Sequence, residues 1–143
     1  MKYKVETGKI LVSLENGEEV MDSIYQIVTK ENISFGWING IGAMENITLG
    51  SYNLRKRGYI KKVLSGEFEL TSLIGNISTK EGNPFVHIHV NLSDEECNAY
   101  GGHLFSGTIT ATCEMIIMIS QNKLLRKMNN HIGLHLWDLN CEK

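Results

Sequence analysis

A chain of 143 residues, 42% hydrophobic and 21% charged, has the make-up of one soluble globular domain over residues 1–143, not of a disordered segment. A chain this long buries roughly two thirds of its unfolded surface, so folding as such requires neither a disulfide nor a metal. The formal net charge of −2 excludes any general attraction to nucleic acid or anionic lipid.

Met1 to Leu14 alternates polar and apolar residues, with no apolar block ahead of a cleavage site, and so does not read as a signal peptide. Asn16 is placed to cap a helix. Glu19 stands three residues on in a capping-box relation, and Glu18 and Glu19 complement the positive end of the helix dipole. Val20, Ile24, Ile27 and Val28 then recur at helical spacing, and Lys30-Glu31-Asn32 supplies an exit. Gly40-Ile41-Gly42 lacks the third glycine of a dinucleotide fingerprint and reads as a bend between strands. Phe68-Glu69-Leu70, Val86-His87-Ile88-His89-Val90 and Ile132 to Leu136 alternate as strands do, and Thr108 to Ile119 is rich in β-branched residues. Turn signals fall at Lys56-Arg57-Gly58, Thr79 to Pro84 and Ser120 to Lys123.

Strands that follow one another without intervening helices predict an α+β fold, a mainly antiparallel β-sheet with one packed α-helix. Glu114 to Ile119 is apolar on both faces, so both must be covered, by a second subunit or by loops and the C-terminal segment. No apolar run approaches the roughly 18 residues of a membrane span, so no membrane partner is expected. Cys97, Cys113 and Cys141 are odd in number and show no C-x-x-C spacing. That argues for a reducing compartment, with the cytoplasm as the expected location.

The chemistry concentrates in Pro84 to Leu92. On a strand, Val86, Ile88, Val90 and Leu92 share one face, while His87, His89 and Asn91 share the other. Imidazoles at i and i+2 stand about 6.5–7 Å apart along a strand, within joint reach of a metal at about 2.1 Å from each nitrogen. Thirteen residues separate His89 from His103, enough for an excursion and a return on a neighbouring strand. Gly101-Gly102 ahead of His103 leaves room for close backbone approach. Three neutral imidazoles with an open fourth position are the pattern of an exchangeable or catalytic zinc site, and nickel, copper or iron fit the same donors. A solvated polar strand face would show the same spacing. His131, after Asn129-Asn130, reads as a solvated turn residue, and His135 as a residue on a polar strand face that could approach the site but is favoured as a surface residue.

Gly40 to Gly50, Gly66 to Ile77, His87-Ile88-His89, Gly101-Gly102-His103-Leu104 and Thr112-Cys113-Glu114 occur in an order that resembles the plants-and-prokaryotes conserved (PPC) domain over about Lys2 to Leu139. The resemblance implies an antiparallel sheet with a packed helix, assembled as a homotrimer. It also implies a metal on the three histidines, and all three positions match. Plant members join the domain to AT-hooks, Arg-Gly-Arg-Pro segments that enter the minor groove, and this chain has none. Its nearest basic feature, Arg55-Lys56-Arg57-Gly58-Tyr59-Ile60-Lys61-Lys62, could contact phosphates or could guard a hairpin edge.

Glu69 and Glu114 are candidate general bases beside a metal, or acceptors that orient an imidazole; Asn91 is a further candidate for the second task. No Ser-His-Asp arrangement or Walker loop is present. Three functions follow: a metal-holding oligomer that binds a small-molecule ligand or protein partner, with transcriptional control as one use; a zinc-dependent enzyme acting on a small polar substrate; and direct DNA binding through the basic hairpin.

Overall fold

In the computed structural model, which describes residues 1–139, the alternating N-terminus forms a hairpin of β1 (Lys2–Glu6) and β2 (Lys9–Glu15). The amphipathic segment forms α1 (Val20–Lys30), which buries Val20, Ser23, Ile24, Ile27 and Val28. Then come β3 (Gly36–Asn53), β4 (Gly58–Leu64), β5 (Phe68–Lys80), β6 (Asn83–Ser93) and the long β7 (Ala99–Ile119). A separate two-stranded sheet, β8 (Arg126–Asn129) with β9 (Leu134–Trp137), follows. The α+β, mainly antiparallel expectation therefore holds.

The main sheet runs β1-β2-β7-β6-β5-β3-β4, and β3 also pairs with β7. The extra pairing closes β3, β5, β6 and β7 into a ring, leaving β1 and β4 as edges. Every ladder is antiparallel. Inside, Ile24 and Ile27 of the helix join Ile10, Leu14, Ile38, Leu73, Ile88 and Leu92 in one buried cluster. Cys113 belongs to the same cluster; burial, helped by nearby Glu114, pushes its thiol up to about 12. Cys97 is exposed, and Cys141 lies outside the described residues.

Three local expectations need correction. The helix cap is Glu19, not Asn16: the Glu19 carboxylate accepts the Asp22 N–H at 2.6 Å. The reason is a competing engagement with β7. Asn16 Nδ2 donates to the Thr110 carbonyl and Gly17 N–H to that of Ile109, which delays the helix by one turn. The second Glu19 oxygen accepts the Gly107 N–H of β7 at 2.9 Å. Gly40-Ile41-Gly42 is no bend between strands but a register shift inside β3. β7 passes so close there that a Cβ on Gly42 would stand 2.3 Å from the Thr112 carbonyl oxygen. Finally, β9 starts at Leu134, and Ile132 belongs to the preceding turn.

Glu114 to Ile119 splits by face. Met115 and Ile117 are buried, whereas Ile116 and Met118 are 45% and 52% exposed. Neither loops nor the C-terminal segment cover the second face among the described residues. Register places Trp37, Ile41 and Ile74 on that same face, and all three are exposed.

Candidate metal centre

β6 leaves the Glu81-Gly82 turn with its period-two pattern intact: Val86, Ile88, Val90 and Leu92 are buried, His87 is half-buried and His89 is exposed. β7 lies antiparallel beside it, in a register that sets His103 directly opposite His89. Two strands thereby deliver three imidazoles to one place. Their candidate ligand nitrogens lie within 4.8 Å of one another. Ring centroids stand 5.1 Å apart for His87–His89 and for His87–His103, and 5.5 Å apart for His89–His103. A tetrahedral ion at about 2.1 Å from each nitrogen would draw them to roughly 3.4 Å, a closure within reach of side-chain rotation.

Aromatic rings fix His103. Tyr59 of β4 stacks over it at 4.8 Å and 33°, and Phe105 presents an edge at 4.8 Å and 68°. Both can approach because Gly50 of β3, between Lys61 and His103 in the ladders, has no side chain. A Cβ there would meet Phe105 Cε2 at 2.5 Å and Tyr59 Cδ1 at 3.0 Å. Lys61 Nζ rests 3.8 Å from the centroid of the Phe105 ring.

The electrostatics keep the half-buried rings neutral. Burial pushes His87 down to about 4, with the charges of His89 and Arg126 adding to it. Burial likewise brings His103 to about 4, aided by His87, His89 and Lys61. A neutral imidazole has a lone pair to give. His103 Nδ1 is buried and has no hydrogen-bond partner among the described residues, a condition that native structures rarely leave without a reason. An all-imidazole donor set with an orphaned buried nitrogen fits a transition-metal ion. Two cavities flank the cluster, of about 640 Å³ and 540 Å³, and both are lined by Tyr59, His87, His103 and Leu134.

The model of the Plants and Prokaryotes Conserved (PCC) domain matches residues 1–121. The chain belongs to this family. Among solved structures, a candidate DNA-binding protein from Bacteroides thetaiotaomicron superposes with a TM-score of 0.94 at 28% identity, over 97% of each chain. A plant- and prokaryote-conserved (PPC) protein from Pyrococcus horikoshii gives 0.85 at 36% identity, over 96% of this chain and 94% of that one. A protein from Archaeoglobus fulgidus described as metal-containing gives 0.84 at 33% identity, over 95% and 96%. No curated protein matches.

Within this PCC domain the histidines come together as the sequence predicts, but the two acidic candidates do not join them. Glu69 pairs with Ala43 and Ser93, toward the far end of the β5–β6 ladder. Glu114 lies opposite Ser13 and Ile41 and lines a separate cleft of about 690 Å³ with Tyr3, Leu11 and Ile116. Asn91 shares the histidine face but is exposed, one step beyond His89. His131 sits exposed in its turn, as expected. For His135 the less favoured reading, approach to the site, is the one observed: its side chain is only 15% exposed and it lines the smaller cavity beside His87. Sequence reading also missed Tyr59, Phe105 and Arg126. A lone arginine in a polar stretch, or an aromatic on a strand, carries no periodicity that points to a site.

Proposed function

We propose that this PCC domain is a metal-binding protein whose centre is His87, His89 and His103, and that it serves as a ligand- or partner-binding module. Convergence of three imidazole nitrogens within 4.8 Å carries the reading. The orphaned His103 Nδ1 and the metal-containing relative from Archaeoglobus fulgidus support it. Zinc is the first choice for the donors, with other divalent transition metals able to use them. The domain acts as a homotrimer in this reading. Exposed Trp37, Ile41, Ile74, Ile116 and Met118 form an apolar face of the kind that subunits cover, and Ile74 lies opposite His89, so the face begins beside the histidines.

The test is metal analysis of the purified protein and of His87→Ala and His103→Ala, with circular dichroism to follow folding. A stoichiometric metal in the wild type, lost from both folded variants, is expected. A wild type that stays metal-free after incubation with zinc refutes the centre.

A zinc-dependent enzyme is the second reading, favoured by the cavities that open onto the histidines. When bound, the ion would supply Lewis-acid chemistry; the chain itself would contribute the aromatic walls and the positive charge of Lys61 beside the site. Glu69 and Glu114 stand outside that site, which leaves a general base to come from elsewhere. Direct DNA binding, suggested by the Bacteroides thetaiotaomicron relative described as a candidate DNA-binding protein, would rest on exposed Arg55, Lys56, Arg57, Lys61 and Lys62 at the β4 edge and its turn. A salt-dependent shift assay on the wild type and a Lys61→Glu, Lys62→Glu variant tests it, and no binding at low salt removes it.

A further inference from the structure

The smaller cavity beside the histidines holds a guanidinium that the metal reading does not use, and Lys80 adds a second positive charge to its lining. Arg126 enters it from β8, beyond the residues that the family model matches. Its Nε donates to Ser78 Oγ at 2.7 Å, Nη1 to the His135 carbonyl at 2.7 Å and Nη2 to Asn76 Oδ1 at 2.9 Å. The guanidinium carbon stands 4.5 Å from the centroid of the Phe85 ring. All three acceptors are neutral. Among the described residues Arg126 has no ion pair, and the acid at the adjacent turn, Glu81, faces His135 Nε2 at 3.4 Å instead. None of the side chains that line the cavity is acidic.

The ladders fix where this guanidinium lies. Asn76 is the register partner of His87, and Ser78 that of Phe85. Arg126 is thus anchored on the face that carries the histidines, between the strand positions level with His87 and with Phe85. A half-buried guanidinium without a counter-ion is a cost that a bound anion offsets. A guanidinium has five N–H donors. With three engaged, one remains on each terminal nitrogen, the number that the two oxygens of a carboxylate accept in a bidentate pair. Apart from Lys80, two tyrosines and the histidines, the rest of the wall is apolar, with Phe85, Leu104, Phe105, Met128 and Leu134 among it, which suits an apolar body better than the third hydrated oxygen of a phosphate.

We propose that Arg126 anchors a small organic monocarboxylate, whose charge meets the guanidinium and whose apolar body lies along Phe85 and Leu104 toward the histidine cluster. The position of the ligand's far end rests on the metal reading; the recognition of its charge does not. A volume of about 540 Å³ accepts a short-chain acid with room to spare.

The test uses butyrate, the uncharged butyramide and inorganic phosphate, titrated calorimetrically into zinc-loaded and chelator-treated full-length protein. Butyrate is expected to bind the wild type more tightly than either comparator. Arg126→Gln is expected to weaken butyrate about tenfold or more, the usual effect of removing a charged hydrogen-bond partner, with butyramide unchanged. Arg126→Lys, which keeps the charge and loses the fork, should fall between. Should Arg126→Gln fail to fold, the Nε–H signals of the three arginines in the labelled wild type decide instead, and butyrate should move that of Arg126 alone. No butyrate binding at tens of millimolar, equal binding by a folded Arg126→Gln, tighter binding of phosphate, or an unmoved Arg126 signal overturns the proposal. An Arg126-dependent butyrate response in a protein that takes up no zinc overturns the metal centre alone.

Discussion

Acid should weaken the metal-free protein through His87 and His103 in a window of its own. Both rings sit at about 4 in the folded chain against an ordinary 6.5. As pH falls below 6.5 the unfolded chain takes up protons that the folded chain refuses, so stability is intact above that value and declines toward 4. From about pH 6.5 to pH 5 each ring could contribute about 2 kcal/mol, at 1.36 kcal/mol per pH unit. That gives a ceiling near 4 kcal/mol for two. Each ring keeps a solvent-facing edge, and screening reduces the sum to about 1–2 kcal/mol, a fall of roughly 5 °C in melting temperature for a domain of this size. Carboxylates held low, such as Glu6, Glu15 and Glu18, start from 4.5, so their contribution is lost only below that and leaves the window clean. The assay is urea unfolding of chelator-treated protein at about pH 7 and about pH 5, beside a His87→Gln, His103→Gln variant whose profile should be flat. Parallel profiles for the two proteins would refute the argument.

Zinc at about a hundredfold excess over its dissociation constant should add about 2.7 kcal/mol, a rise of roughly 10 °C that calorimetry would detect at pH 7. The rise should shrink at pH 5 as protons compete for the rings. Gly50→Leu should displace Phe105 and Tyr59, destabilise by roughly 1–3 kcal/mol and loosen zinc by disturbing His103; unchanged zinc affinity in calorimetric titration would refute the aromatic clamp. If the proposed trimer forms, Ile116→Glu with Met118→Glu should reduce the assembly mass in light scattering and leave the chain folded, whereas an unaltered mass would refute this face as a subunit interface. Ile24→Ala, at the buried face of α1, should cost about 2–5 kcal/mol in urea unfolding.

How much was legible follows from how local each signal is. Alternation in Val86 to Leu92 fixes the facing of His87 and His89, because the period of a strand admits one partition. The helix face Val20-Ile24-Ile27-Val28 is equally local, yet its start is not: the pairing of Asn16 and Gly17 with β7 overrides the capping preference. Gly40-Ile41-Gly42 misleads for the same reason, since a strand across the ring, remote in sequence, dictates the glycines. Glu69 and Glu114 share strands with site-bearing segments, and only the register shows how far along those strands they stand. Arg126 is invisible until β8 folds back over the β5–β6 hairpin.

The Glu19 carboxylate joins two parts of the molecule, one oxygen on the first turn of α1 and the other on Gly107, four residues along the chain from His103. Helix and histidine strand are thereby coupled like two boards on one bolt, and neither can slide without the other. The backbone that carries the three rings is consequently set in advance, and an ion bound there would need only side-chain rotation to close them. Loading and release should then run at the pace of solvent access through the flanking cavities, with no refolding step to slow them.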